Sequence, residues 1–342
     1  MSSRTPSGRR PTLEAVAQLA GVGRGTVSRV VNGAPGVSAK ARAAVEAAIA
    51  ELKYVPNPAA RSLVTSRTDS IALVIPEPES RLASEPYFSA VIRGVSTELA
   101  DTEMQLLLIL IRDQRERDRL TRFVEARRVD GVLLVAVHRD DPLPAFLEKV
   151  RMPTVLAGRR SPSEPLSHVQ SDNAGGAAQA VRHLLGQGRT AVATITGPLD
   201  MDVGVSRLQG WRDAHAAAGR GADESLVAAG DFTREGGRDA MRELLARRPD
   251  IDAVFAASDV MAAGALGELR ERGRRVPEDV AVIGFDDSII ARHTVPPLTS
   301  VSQPIAEIGR AITRLLLEEI NDPGVARRSL TLPTTLTHRL ST

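Results

Sequence analysis

The feature that most constrains this chain is a change of hydrophobic period at Val55-Pro56-Asn57-Pro58. Upstream, apolar residues recur at helical spacing; downstream, short apolar runs alternate with longer helical patterns. Two closely spaced prolines suit neither pattern, because each removes a backbone donor and biases the preceding residue toward extended backbone. The chain therefore reads as a small all-α head joined to a larger α/β body. Its 342 residues allow two or three domains, at least one with a full core.

Three helices are expected in the head. Leu13, Val16, Ala17 and Ala20 follow the i, i+3, i+4, i+7 rule, with Thr12 at the N-cap position. A second helix runs from about Gly25 to Val31 with Val27, Val30 and Val31 inward, and a third begins at Ser38 and lines up Val45, Ala48, Ile49 and Leu52. A helix-turn-helix needs a small residue where its helices pack, a residue tolerant of positive φ in the turn, and an inward aliphatic. Ala17, Gly21 and Val27 supply these at spacings of four and six, although other small bundles also meet so loose a triplet. Gly21-Val22-Gly23-Arg24-Gly25 is no dinucleotide loop, because it follows a helix and lacks the G-x-G-x-x-G spacing.

In the body, strands are expected at Ile71–Ile75, Gln105–Ile111, Gly131–Val137, Thr154–Ala157, Ala191–Thr196, Leu226–Ala229, Ala253–Ala257 and Val280–Gly284. Helical stretches such as Phe88–Ala100, Ala174–Gly186, Arg234–Arg247 and Val260–Arg272 separate them. Apolar strands alternating with helices imply parallel sheets covered on both faces. So many units call for a closed barrel or two smaller sheets, and the irregular stretch Arg159–His168 favours two lobes with a break near Asp172.

Charge separates the same two regions. Net charge is +2, with 41 arginines and 3 lysines, yet residues 1–67 hold ten Lys/Arg against three Asp/Glu, net +7, and residues 68–342 hold 34 against 39, net −5. The basic end is suited to a polyanion. With Gly21 in the turn, Arg24, Thr26 and Arg29 point away from the head's core; an Arg pairs bidentately with guanine and contributes ~1–3 kcal/mol of discrimination. Arg29 is the first candidate for base readout. Thr12, Ser28, Asn32 and Ser38 at helix ends suit phosphate contacts, while Thr12 and Ser38 equally suit plain caps.

Several function classes drop out. Without cysteine there are no disulfides, thiolate metal sites or cysteine nucleophiles, which fits a cytoplasmic protein. The longest apolar runs, Leu106–Ile111 and Val132–Val137, are too short to span a bilayer, and residues 1–11 lack the apolar core of a secretory signal; a disordered tail is expected there. The six histidines, His138, His168, His183, His215, His293 and His338, show no paired ligand spacing, and neither a G-x-S-x-G elbow nor a Walker loop occurs. No enzyme, cofactor or metal site is expected. A transport receptor with a two-lobed body would need the missing signal and would not need the basic head.

Asn57-Pro58-Ala59-Ala60-Arg61-Ser62-Leu63 reads as an N-cap, a first-turn proline and a helix too short to be stable alone. It should order against a partner. If that partner is a duplex, Leu63 becomes an apolar wedge for the minor groove; otherwise it tucks against a lobe.

Thr12-Leu13-Glu14-Ala15-Val16-Ala17, Ala20-Gly21-Val22 and Thr26-Val27-Ser28-Arg29-Val30-Val31-Asn32-Gly33 together resemble the amino-terminal signature of the LacI/GalR family of bacterial transcription regulators. Val37-Ser38, Leu52-Lys53-Tyr54-Val55-Pro56-Asn57 and Ala60-Arg61-Ser62-Leu63 continue it, and Val282-Ile283-Gly284-Phe285-Asp286-Asp287 and Pro297-Leu298-Thr299 carry it through the body. The resemblance implies a homodimeric regulator, a repressor, on a near-palindromic operator, with Asn57 on phosphate and Ala60 and Leu63 in the minor groove. It implies a head at 12–55, a hinge and linker at 56–69, and a periplasmic-binding-protein-like core at 70–342. The lobes would be about 70–172 with 301–324, and 173–300 with 325–342.

The same resemblance places a small effector between the lobes, against Phe88, Arg207, Phe232, Ser258, Asp286 and Gln303. An aromatic face with Arg, Asp and amide groups suits a sugar, with a nucleobase or a phosphorylated metabolite as alternatives. Phe232 also suits a core position, Asp286 suits a cap for the next helix, and Trp211 reads as packing. Gly23 and Gly25 stand where the family usually carries a hydroxyl or polar side chain, so base selection falls on Arg24 and Arg29.

Overall fold

A computed structural model describes residues 11–31, 35–54 and 67–342. The chain divides into two compact units, residues 1–68 and 69–342. The readings for Asn32, Asn57, Ala60, Leu63 and residues 1–10 lie outside the described residues.

The first unit contains α1 (Leu13–Ala20), α2 (Arg24–Val31) and α3 (Ala39–Leu52). Thr12 and Ser38 are true N-caps, their hydroxyls accepting from the N–H groups of Ala15 and Ala41 at 3.3 Å. Gly21 ends α1 at φ 65°, a left-handed conformation a side chain would strain. Val16, Ala17, Val27, Val30, Val45, Ala48 and Tyr54 close into one small core.

The second unit holds two six-stranded sheets, which excludes the barrel. The first comprises β1 (Ser70–Ile75), β2 (Gln105–Leu110), β3 (Gly131–Val135), β4 (Thr154–Ala157), β5 (Ser167–Ser171) and β11 (Ser329–Leu332), in the order β11-β5-β4-β3-β1-β2 and all parallel. Alternation along β1 sends Ile71, Leu73 and Ile75 to a core with the helices Pro86–Leu99 and Ile305–Asn321, and Ala72 and Val74 to a core with Gln114–Glu125 and Leu143–Lys149. Pro86–Leu99 and Ile305–Asn321 approach so closely that a Cβ on Gly94 would meet the Ala306 carbonyl oxygen at 2.1 Å.

The second sheet comprises β6 (Val192–Thr196), β7 (Val227–Ala229), β8 (Ala253–Ala256), β9 (Ala281–Asp286), β10 (Thr299–Ser302) and β12 (Thr335–Thr337). Its order is β12-β10-β9-β8-β6-β7, parallel except for β12 against β10. The helices Asn173–Gly186, Asp202–Ala217, Arg234–Arg247 and Asp259–Glu271 complete this lobe.

The pairing corrects two sequence readings. Residues 325–342 do not all belong to the second lobe, because Ser329–Leu332 pairs with β5; conversely Val301 and Ser302 stay in the second sheet, on β9. The chain therefore crosses at Ser171–Asn173, Ser302–Ile305 and Leu332–Thr335. Secondly, the stretch read as irregular ends in a buried strand, Ser167–Ser171, whose polar side chains find partners: the Ser167 hydroxyl donates to Glu319 at 2.5 Å and that of Ser171 to Gln303 at 2.8 Å. Satisfied polar groups can be buried without an apolar run in the sequence.

Candidate functional site

Arg24 and Arg29 are exposed on α2, while Val27 and Val30 are buried; Thr26 and Ser28 are half-buried. The Arg24 guanidinium lies 3.1 Å from Glu14, and both side chains remain largely in water. Water screens so exposed a pair, so Arg24 can exchange Glu14 for another anion. This ion pair, which joins one helix to the start of the next, has no signature in the sequence pattern.

In the body, the strand ends position the chemistry. Each sheet has a doubly wound order, and ligands of such sheets bind beyond the carboxyl ends of their strands. Ala136 follows β3, Gly158 follows β4, Ser171 ends β5, Met201 and Asp202 follow β6, Phe232 follows β7, Ser258 follows β8, Asp286 ends β9 and Gln303 follows β10. All line one cleft between the lobes, about 890 Å³ including its open mouth. The six residues singled out from the sequence, Phe88, Arg207, Phe232, Ser258, Asp286 and Gln303, all line it.

Arg207 organises the floor. It is only 4% exposed; its Nη1 donates to the Ala257 carbonyl at 2.5 Å, its Nε donates to Asn173 at 2.9 Å, and its Nη1 lies 3.8 Å from Asp286. Its guanidinium also sits 3.7 Å from the centre of the Phe285 ring. Burial pulls Arg207 below the ordinary arginine value, against the pull of Asp286. Gln303 donates to Asp286 at 2.6 Å and accepts from Ser171, so a chain of polar contacts crosses the base of the cleft.

Asp286 does not cap the next helix. Its φ of 110° bends the backbone at the end of β9, and the helix Ile289–His293 starts at Ser288 without a side-chain cap. Burial raises the carboxyl pKa of Asp286, opposed by Arg207 and Gln303, and raises that of Asp259 behind it. Asp259 accepts from the Ser300 hydroxyl at 2.5 Å and the Ser288 N–H at 2.6 Å, which holds the strand ends together. Ser258 caps the helix Asp259–Glu271, accepting from the Met261 N–H at 3.2 Å. Phe232 belongs to both cleft and core, being 8% exposed, and Trp211 is packing, its ring N–H donating to the Val192 carbonyl at 3.0 Å.

Sequence reasoning missed Arg81, Glu85, Tyr87, Arg159, Asn173 and Asp202, which also line the cleft. Arg81 lies within, and Glu85 just after, a short helix, Glu79–Ser84, that buries no residue and so shows no period. Arg159 and Asp202 were findable, each following a strand end. They meet across the lobes at 2.9 Å, as do His138 and Asp200 at 2.6 Å. The Nε2 of His138 lies 3.4 Å from Glu77. Glu77 and Asp200 hold the His138 pKa up near 9, against the effect of burial. Burial, by contrast, pushes the Glu85 carboxyl up to about 7 despite the nearby Arg81.

A helix-turn-helix head with an outward basic face, followed by two lobes whose strand ends converge on a polar cleft, defines a DNA-binding regulator with a small-molecule receptor domain. Residues 12–57 match the family of bacterial regulatory proteins named lacI, and residues 181–342 match a periplasmic binding protein-like domain. Over 335 residues, 97% of this chain and 98% of the relative, the sequence is 52% identical to the HTH-type transcriptional regulator CelR of Thermobifida fusca. The ribose operon repressor of Escherichia coli K12 is 35% identical over 96% of this chain and 98% of its own length.

Among solved structures, a CelR–cellobiose complex is 50% identical, covers 97% of this chain and 100% of that one, and gives a TM-score of 0.79. A lac repressor dimer bound to operator and the anti-inducer ONPF is 27% identical, with 97% and 99% coverage and a TM-score of 0.84. The chain belongs to the lacI family and is a DNA-binding transcriptional regulator.

Proposed function

We propose that this chain is a cytoplasmic repressor, a regulator and not an enzyme, that binds a near-palindromic operator as a homodimer and is controlled by a sugar in the interlobe cleft. Arg24, Thr26 and Arg29 read bases, Thr12, Ser28, Asn32, Ser38 and Asn57 contact phosphates, and Ala60 and Leu63 enter the minor groove. Phe88, Arg207, Phe232, Ser258, Asp286 and Gln303 hold the effector. The sugar changes the angle between the lobes and so shifts operator affinity by a coupling free energy.

One observation carries the choice of ligand: the arginines of the cleft already face carboxylates. Arg81 is paired with Glu77 and Glu85, Arg159 with Asp202, and Arg207 with Asp286. A lining so balanced suits a neutral, hydroxyl-rich molecule better than a phosphorylated one. The cellobiose complex of CelR supports the same class.

A thermal-shift screen of the full-length protein tests this reading with neutral sugars, sugar phosphates and nucleobases. A neutral sugar should raise the Tm and change operator affinity. A response confined to phosphorylated sugars or nucleobases would overturn the assignment.

A further inference from the structure

A second cavity, about 990 Å³ with its mouth, adjoins the cleft. Arg81 and Val260 line both spaces. The guanidinium of Arg81 lies 5.6 Å from the centre of the Phe232 ring, so the two chambers meet at a contact between the lobes. Arg81 is fixed on its own lobe: Nη1 meets Glu77 at 2.5 Å, while Nη2 and Nε meet Glu85 at 2.6 and 2.8 Å. Its cationic head thus forms a partition that the first lobe holds and an aromatic ring of the second lobe receives.

The outer chamber combines polar and apolar surface. Hydroxyls come from Ser80 and Ser84, and from Thr233, which also donates to Asp231 and accepts from the Gly236 N–H; apolar surface comes from Val260, Ala263 and Ile290. Its two further charges, Arg234 and Glu235, are opposite in sign. A sugar ring offers the matching pair of surfaces, an apolar C–H face and a polar rim.

We propose that the outer chamber is a second sugar subsite, which takes the distal unit of a linear oligosaccharide whose other end lies in the cleft, and that Arg81 governs passage between them. The inference rests on the sugar reading of the cleft and adds to it a preference for chain length. Ser84 is exposed on the rim and makes only a 3.4 Å contact to the Arg81 carbonyl, so a larger side chain there fills the outer space without disturbing the core.

Calorimetric titration of the full-length protein with cellobiose and cellotriose provides the test. The trisaccharide should bind about tenfold tighter than the disaccharide, and Ser84→Trp should abolish that advantage while leaving cellobiose affinity unchanged. Ser80→Tyr on the same rim should do likewise, which guards against a folding defect in either variant. A trisaccharide that binds no tighter, or that keeps its advantage in both variants, overturns the second subsite while leaving the sugar reading intact. If neither sugar binds, the subsite is overturned; if the thermal-shift screen also finds no other sugar, the sugar reading of the cleft fails with it.

Discussion

In the head, Arg24 and Arg29 project from a helix with their charges in water, and the Glu14 carboxylate beside Arg24 is itself exposed. In the body, Arg207 is buried against a carbonyl, an amide, a carboxylate and an aromatic ring. The same side chain thus serves two purposes. Exposed arginine keeps its bonding capacity for an incoming polyanion and costs the fold little. Buried arginine has its partners fixed on folding, so it can orient a ligand but cannot be removed cheaply. Substitution should therefore affect binding alone in the head, and binding together with stability in the body.

The sharpest test is Arg207→Ala. Removing one member of a buried charged pair costs roughly 3–5 kcal/mol, because Asp286 stays buried without its cation. The body should melt at a distinctly lower temperature and the ligand response should disappear. Operator affinity without ligand, measured well below the new Tm, should be unchanged; a loss there would mean that the head depends on the floor of the cleft. Leu63→Ser should have the next largest effect. If Leu63 wedges into the minor groove, specific affinity should fall on the order of a hundredfold toward the non-specific level, with effector affinity intact. Equal operator affinity would remove the wedge.

Arg29→Ala should cost ~1–3 kcal/mol at one base position per half-site and leave the melting curve of the head nearly unchanged. A uniform loss on every sequence would make Arg29 a phosphate contact. His138 lies between these extremes, half-exposed yet bridging Asp200 of one lobe and Glu77 of the other. Its pKa in the fold is about 9, above the ordinary 6.5, because it gains these acceptors. The stabilisation is therefore complete below about pH 6.5 and declines as pH rises through 9. Comparing His138→Gln with the parent by thermal melts, the difference should be a few degrees at most at pH 6 and vanish above pH 9.5; a difference that grows with pH would show that His138 is not stabilised in its charged form.

The legibility of the sequence follows the same division. Helix caps and the turn of the head were readable because Thr12, Ser38 and Gly21 act through local backbone geometry. Strand cores were readable because buried parallel strands are apolar throughout. The polar strand Ser167–Ser171 and the exposed edge strand Ser329–Leu332 were not, since what places them is hydrogen bonding to residues far away in the chain. In the cleft, residues in recurring motifs were recognised, whereas Arg81 reaches Phe232 through a contact that only the fold makes. Why α2 carries Gly25 is explained by neither the motif nor the packing.

That glycine offers the smallest test and a discriminating one. An added Cβ at Gly25 would meet nothing within 4 Å, so packing does not require glycine there. Gly25→Ala should stabilise the helix, and with it the head, by ~0.5–1 kcal/mol through propensity and the entropy of the unfolded chain. If operator affinity also holds, the glycine is dispensable and base selection rests on the two arginines. A head that becomes more stable while binding operator more weakly would show instead that α2 needs a bare backbone at this point to approach the groove. A less stable head would contradict the helical packing described for Arg24–Val31.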